Sequence, residues 1–187
     1  MIEIRKLTEE TRELLWTVED RRLDSERVVV RPGKGGFALD YKALPGALWR
    51  VGNAERDIPV DLPDWETEPG RDIYLAWLEE KLAGQIVLET YDHKLARVRD
   101  IRVEMTMRRR GVGEAMLALA EDWARARELH GIMAETQDVN AGACQFFAQC
   151  GFELGGVDML RYVARSQQTM MAVGLRESAL FFYKFLR

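Results

Sequence analysis

The chain has 187 residues, of which 47% are hydrophobic and 31% charged, and its formal net charge is −4. This composition predicts one soluble globular domain with a sizeable core. No run of 18 apolar residues occurs, and the segment from Met1 to Lys6 lacks the apolar core of a signal peptide, so we expect neither a membrane span nor a leader. The acidic balance argues against nucleic acid as the main partner.

The cysteine and histidine content bounds the redox and metal chemistry. Cys144 and Cys150 are six positions apart in one predicted helix, where they face different sides and cannot pair. A reduced, cytoplasmic protein is therefore expected. The histidines, His93 and His130, form no metal-ligand pattern with the cysteines, so the sequence predicts no metal site.

The first third of the chain contains one helical pattern and short strand patterns. Thr8 to Asp20 is predicted as a helix with Leu14, Leu15 and Val18 on its apolar face. Glu26 to Arg31 is predicted as a strand that Pro32-Gly33 ends. Phe37 to Tyr41 is a further candidate strand, and Pro45-Gly46 predicts a turn.

Residues 57–72 are rich in Asp and Glu and are interrupted by prolines. An ordinary solvated loop has this composition. The acidic segment is also suited to a cationic ligand. The basic cluster at Arg108 to Arg110, which would suit an anionic ligand, lies far from it in sequence. Both interpretations remain open at the level of sequence.

The centre of the chain predicts an antiparallel meander. Strands are expected at 72–80, 82–91 and 95–107, with turns at 79–81 and 92–94. The third strand alternates between two faces. One face carries Ala96, Val98, Asp100 and Arg102, and the other carries Arg97, Arg99, Ile101 and Val103.

Helices and strands alternate in the remainder. A helix is predicted from Val112 to about Leu129, a strand over 131–136, and a short helix that Asn140 or Asp138 caps and Gly151 ends. The last strands are expected at 152–154, 159–163 and 180–186. Together these elements predict an α/β fold with a mixed central sheet of about six or seven strands and helices on both faces.

An anion-binding motif lies where the third meander strand passes into the first long helix. It consists of Arg108, Arg109, Arg110, Gly111, Val112 and Gly113. Glycines let the backbone approach an anion closely, and a new helix offers N–H groups and the positive end of its dipole. The sequence therefore predicts a phosphate-bearing ligand at this junction.

A second motif specifies that ligand. About thirty residues later the chain has Asn140, Ala143, Phe146, Phe147 and then Gly151-Phe152 at fixed spacing. The two motifs together resemble the GNAT family of N-acetyltransferases, which bind acetyl-CoA. The segments 129–138, 143–152, 155–158 and 177–183 are similar to streptothricin acetyltransferases in particular. The resemblance implies one GNAT domain over 1–187, with 1–71 as the variable, substrate-side part and 72–187 as the acetyl-CoA-binding core.

The resemblance also implies where acetyl-CoA binds. The sheet is expected to splay between its fourth and fifth strands, next to the backbone of Ile101, Arg102 and Val103. The pyrophosphate is expected on the backbone from Arg108 to Gly113, with arginine side chains on its oxygens. The pantetheine side is expected at the second helix, through Asn140, Ala143, Phe146 and Phe147.

The reaction requires a neutral amine, a stabilised oxyanion and a leaving thiolate. The N–H of Val103 is expected to stabilise the oxyanion. Asp100 and Glu135 are the candidate proton acceptors, and with Asp158 they are also candidate anchors for a cationic substrate. A strand-end salt bridge is the alternative role for Glu135.

The chain departs from the family pattern at one catalytic position. Many members have a tyrosine where this chain has Phe147, which has no proton to give a thiolate. Tyr162 is the candidate replacement, although a buried structural tyrosine fits its pattern equally well. A thiolate also leaves tolerably at neutral pH without an acid.

These observations predict an enzyme that moves an acetyl group from acetyl-CoA to a primary amine of a small cationic molecule, with a streptothricin-type antibiotic as the most specific candidate. One alternative is acetylation of a protein α-amine or a polyamine. Another is an acetyl-CoA-binding module without turnover, which Phe147 favours. A homodimer through the C-terminal strand is left open.

Overall fold

The computed structural model describes residues 1–19, 21–51, 69–162 and 177–186. The backbone divides into two compact units. The first unit comprises Met1–Arg22, Arg50–Ile132 and Phe185–Arg187, and the second comprises Leu23–Trp49 and Met133–Lys184. Most of the acidic segment at 57–72 lies outside the described residues, so both of its interpretations remain predictions.

The described residues contain nine strands and two α-helices. In chain order the strands are β1 (Ile2–Lys6), β2 (Arg21–Gly33), β3 (Gly36–Val51), β4 (Arg71–Leu78), β5 (Lys81–Tyr91), β6 (Leu95–Val103), β7 (Gly131–Gln137), β8 (Glu153–Asp158) and β9 (Ala179–Phe185). The helices are α1 (Val112–Arg125) and α2 (Ala141–Gln149). This inventory confirms the predicted α/β class.

Four strands of the first unit, β1, β4, β5 and β6, are neighbours in that order and run antiparallel. The predicted meander is therefore confirmed. Glu79 and Glu80 form its first turn, both with positive φ, as the tightest hairpins require. Strand β1 was not predicted, because its five residues are short and no turn signal separates them from the helical pattern that follows.

Strand β6 has the predicted alternation but ends earlier than predicted. Its even-numbered residues from Ala96 to Arg102 are buried, while the intervening ones are half-exposed. The strand ends at Val103, not Met107, because the Glu104 carboxylate accepts the N–H of Thr106 and a short 3-10 helix (Met105–Met107) follows. The change of direction brings the chain to the start of α1.

The two faces of this antiparallel sheet are covered by different elements. On one face, Met116 of α1 lies against Gly84 of β5, and the Trp123 indole N–H donates to Asp72 of β4. On the other face, Ile73 and its neighbours pack against residues from the N-terminal segment, including Leu14, Leu15 and Trp16. Helix α1 ends at Arg125 and not near Leu129, whose N–H instead donates to the carbonyl of Ala124.

The predicted helix from Thr8 to Asp20 is wrong over residues 15–19, and Asp20 lies outside the described residues. Only Glu9–Leu14 is helical, as a 3-10 helix, and Leu15 is extended. Trp16 takes φ 69° and donates its N–H to the Gln85 side chain at 3.0 Å. A partner 69 positions away in the sequence thus holds the backbone just after the helix, and no local pattern contains that information.

The second unit contains a two-stranded sheet, β2 with β3, and the neighbouring strands β7, β9 and β8. Both β2 and β3 are longer than predicted, and the predicted turn at Pro45-Gly46 is wrong because β3 continues through it. A two-stranded ribbon tolerates proline, since each of its strands is an edge strand. Strand β8 pairs antiparallel with β9.

Two local predictions in the second unit have opposite outcomes. Asn140 is confirmed as the N-cap of α2, because its side chain accepts the N–H of Ala143, and Gly151 follows the helix with φ 83°. The strand predicted over 159–163 is wrong for its described residues, which form bends and turns. The cause is Asp158, whose carboxylate accepts the N–H groups of Leu160 and Arg161 at 2.8 and 3.0 Å.

Candidate active site

The anion-binding motif of the first unit forms the start of α1. Gly111 is the N-cap and takes φ 84°, a conformation that glycine adopts without strain. The first helical hydrogen bond runs from the Ala115 N–H to the Gly111 carbonyl at 3.0 Å. Helix geometry leaves the preceding N–H groups, those of Val112, Gly113 and Glu114, directed out of the helix end. This arrangement suits a phosphate group.

The three arginines of the motif have different environments. Arg108 is half-buried and donates from Nε to the carbonyl of Val103 at 2.9 Å. Arg110 pairs with Glu79 at 2.7 Å, and both of these side chains are exposed. Arg109 is exposed and takes φ 61°. Arg108 therefore fixes the end of β6, whereas Arg109 and Arg110 can reach an anion at low cost.

The backbone of β6 presents the groups that the sequence assigns to the cofactor. The Glu104 N–H donates to the Ala83 carbonyl at 2.8 Å, so backbone groups of even-numbered residues here point towards β5. Because backbone direction alternates along a strand, the N–H and C=O groups of Ile101 and Val103 point to the opposite edge of β6. That orientation fits the predicted roles of these two residues.

Asp100 and Arg102 occupy the core face of β6. Arg102 donates from Nε to both Asp100 oxygens, at 2.9 and 3.2 Å, and Gln85 donates to the same carboxylate at 2.7 Å. The Arg102 guanidinium lies over the Trp16 ring at 4.7 Å from its centroid. Arg102 is 4% exposed and Asp100 8%, so both predicted site residues direct their side chains into the first unit.

In the second unit, Glu135, Arg161 and Tyr162 form one hydrogen-bonded group. Glu135 Oε1 accepts from Arg161 Nε and from the Tyr162 hydroxyl, each at 2.8 Å, and Oε2 accepts from Arg161 Nη2 at 3.0 Å. Burial raises the pKa of Tyr162 well above its ordinary value, and the Glu135 charge and hydrogen bond add to this. The Tyr162 hydroxyl therefore retains its proton and donates it in the hydrogen bond to Glu135.

The other predicted residues of the second unit have defined local roles. Asp158 caps the turn that contains Arg161, and the Asn140 side-chain oxygen caps α2. Phe147 is 3% exposed and lies 5.5 to 5.8 Å from the rings of three other phenylalanines. Phe147 is thus a core residue. Ala143 and Phe146 are half-buried on α2.

Sequence reasoning missed Arg161. It joins the two predicted residues Glu135 and Asp158, the first through its side chain and the second through its backbone. An Asp three positions before an Arg is a weak turn signal, and the pairing with Glu135 spans 26 positions. Gln85 and Trp16, which complete the network around Asp100, carried no signal either.

Comparison with known proteins identifies the family. Residues 41–152 match the model of the acetyltransferase (GNAT) family. The chain is 35% identical to the streptothricin acetyltransferase of Escherichia coli over 124 residues, which are 66% of this chain and 68% of that protein. It is 38% identical to streptothricin acetyltransferase A of Bacillus subtilis over 95 residues, 51% of this chain and 55% of the relative.

Solved structures agree with this assignment. A proposed streptothricin acetyltransferase from Bacillus anthracis, in complex with acetyl coenzyme A, matches all of this chain and all of its own at a TM-score of 0.84 and 26% identity. Nourseothricin acetyltransferase matches with a TM-score of 0.76 at 24% identity, covering all of this chain and 99% of its own. This second match shows that the two proteins share a fold. None of the helices in the described part of the chain has the length and hydropathy that a bilayer span requires. The chain belongs to the GNAT family, and it is an acetyl-CoA-dependent N-acetyltransferase.

Proposed function

We propose that this enzyme acetylates a primary amine of a small cationic antibiotic of the streptothricin type. The observation that carries the proposal is the 35% identity, across 66% of the chain, to an enzyme named for that substrate. The half-buried Glu135 carboxylate of the second unit also supports the proposal, because it already binds a cationic side chain.

The first unit supplies groups suited to acetyl-CoA, which provides an activated thioester. The N-terminus of α1, with Arg109 and Arg110, would hold the pyrophosphate. The outward backbone groups of Ile101 and Val103 would hold the pantetheine amides. The Val103 N–H would then stabilise negative charge on the thioester oxygen as the amine attacks.

The second unit supplies groups suited to proton transfer. Glu135 would bind the ammonium form of the substrate and accept a proton from the attacking nitrogen, directly or through water. Tyr162 would donate a hydrogen bond to the departing thiolate; its raised pKa opposes full proton transfer, and a thiolate leaves tolerably at neutral pH without it. Phe147 cannot do so, because phenylalanine has no ionisable proton.

A thiol-release assay with an amine panel tests the substrate assignment. We expect coenzyme A release with streptothricin to exceed release with spermidine, an N-terminal peptide or no amine. A preference for spermidine or the peptide would move the assignment to those substrates. Binding of acetyl-CoA without amine-dependent release would favour a non-catalytic binding module.

A further inference from the structure

The Glu135 carboxylate is occupied by a cation from its own chain. Arg161 approaches it as a fork, with Nε on Oε1 at 2.8 Å and Nη2 on Oε2 at 3.0 Å. This bidentate geometry is how a carboxylate binds a planar cation with two donors. The same carboxylate is the proposed anchor of the substrate cation, so one acceptor serves two cations.

The two partners differ in how firmly they are held. The Glu135 side chain is 17% exposed and also accepts the Tyr162 hydroxyl, whereas the Arg161 side chain is 44% exposed. The Arg161 backbone N–H donates to Asp158, and the Arg161 guanidinium lies 5.8 Å from the centroid of the Phe181 ring. A long, partly exposed side chain can leave its partner and remain solvated. Glu135 is therefore the fixed partner and Arg161 the exchangeable one.

We propose that Arg161 is an internal competitor for the substrate: it binds Glu135 in the free enzyme, and a cationic group of the amine displaces it. This inference rests on the proposed function. The exchange replaces one ion pair with another, so the carboxylate keeps a counter-charge in both states. Neutral and anionic molecules cannot make this exchange, because they offer Glu135 no charge in return. Arg161 is thus a specificity-determining residue that selects against uncharged substrates.

The test removes the competitor and leaves the anchor in place. In Arg161→Ala, we expect the KM for streptothricin to fall by about two- to fivefold, the range that a partly exposed ion pair supports. The KM for acetyl-CoA should not change. Arg125→Ala is the matched control: Arg125 is a half-exposed arginine of α1 that pairs with Glu121, and its removal changes the net charge equally. We expect that control to leave both KM values unchanged.

Two probes separate the kinds of cation. Methylguanidinium and methylammonium should both inhibit the wild-type enzyme competitively against streptothricin, and both more strongly in Arg161→Ala. Stronger inhibition by methylguanidinium would assign the anchor to a guanidinium-like group of the substrate, and stronger inhibition by methylammonium to an amine. In Glu135→Gln, neither probe should inhibit.

Calorimetric binding of streptothricin, measured beside turnover, separates the two proposals. Turnover by the wild type, with binding unchanged or weaker in Arg161→Ala, would overturn the competitor role and leave the proposed function intact. Weaker streptothricin binding in Arg161→Ala would mean that Arg161 holds Glu135 in position. Tighter binding in Arg161→Ala, without turnover by the wild type, would support the competitor and overturn the proposed function.

Discussion

Asp100 and Arg102 neutralise each other on the core face of β6, with Nε of Arg102 2.9 Å from Oδ1 of Asp100. Both side chains are almost fully buried. Gln85 donates to Asp100, and Arg102 extends to the Val18 carbonyl at 3.5 Å. A carboxylate held in this way is unsuited to accept a proton from substrate. We therefore propose a structural role for Asp100, as the buried partner of Arg102, and keep Glu135 as the proposed proton acceptor.

Substitution of Asp100 should lower the free energy of unfolding more than it changes kcat. In Asp100→Ala, the Arg102 charge stays buried without its partner, and we expect the free energy of unfolding to fall by about 3–5 kcal/mol in denaturant titrations. The double variant with Arg102→Met should recover part of that loss, because it removes the orphaned charge. Asp100→Asn, if it folds, should keep the pH profile of kcat. A large fall in kcat with unchanged stability would instead make Asp100 the proton acceptor.

Gly84 controls how closely β5, β6 and α1 approach. A Cβ there would lie 2.6 Å from the Arg102 carbonyl oxygen and 3.0 Å from the Met116 side chain. Gly84→Ala should displace the backbone between Ile101 and Val103, lowering stability and raising the KM for acetyl-CoA severalfold in steady-state assays. Gly142→Ala is the control, since a Cβ there meets nothing within 4 Å and alanine favours the helix. Equal KM values in the two variants would contradict the cofactor role of this part of β6.

The arginines of the α1 motif should differ in their effect on cofactor binding. Arg108→Ala removes the hydrogen bond to the Val103 carbonyl, so it should raise the KM for acetyl-CoA and also lower the melting temperature. Arg109→Ala should raise that KM with little change in melting temperature, because Arg109 is exposed. Acetyl-CoA affinity that survives Arg109→Ala combined with Arg110→Ala would refute the pyrophosphate assignment.

Much of the fold follows from local pattern. The meander was predictable because β4 and β5 are rich in aliphatic, β-branched and aromatic residues, β6 alternates between two faces, and charged turns separate these strands. The start of α1 and the Asn140 cap were predictable because glycine and asparagine have specific backbone roles there. The resemblance to a known family added the ligand, which periodicity alone cannot supply.

These errors arise in two ways. Either the hydrogen-bond partner is distant in sequence, or a side chain accepts hydrogen bonds from the neighbouring backbone. Gln85 accepts the Trp16 N–H just after the 3-10 helix ends at Leu14, and Asp158 turns the chain where a strand was predicted. Arg161 was missed because it lies in a turn and its partner, Glu135, is on β7, 26 positions earlier. Pairings of this kind appear only when the fold brings the elements together.

Burial of Tyr162 and Cys144 predicts a loss of stability at high pH. Burial raises the pKa of Tyr162, and it raises that of the Cys144 thiol to about 12. In the unfolded chain the pKa is about 10 for the tyrosine and about 8.5 for the cysteine. Above these values the unfolded state releases protons that the folded state retains. Stability from both groups is complete below the unfolded values and decreases as the pH rises above them. Denaturant titrations from pH 8 to 11 should show this decrease, and it should be smaller in Tyr162→Phe; an equal decrease in that variant would contradict the account of Tyr162.

Cys144 should also be chemically inert in the native enzyme. Its side chain is buried and donates to the Gln137 carbonyl at 3.7 Å, whereas Cys150 is half-buried. Since the thiolate is the reactive form, iodoacetamide at pH 8 should modify Cys150 before Cys144, as peptide mass spectrometry can measure. The native Cys150→Ser enzyme should then react only slowly with iodoacetamide. Faster modification of Cys144 would contradict its buried position.

Steady-state kinetics of Glu135→Gln with streptothricin test the central claim most directly. The substitution keeps the shape of the side chain and removes the charge that would bind the amine and accept its proton. We predict that the KM for streptothricin rises at least about tenfold and kcat falls, the loss expected when a charged partner is removed. The KM for acetyl-CoA should remain that of the wild type. Unchanged kinetics with streptothricin in Glu135→Gln would contradict the account.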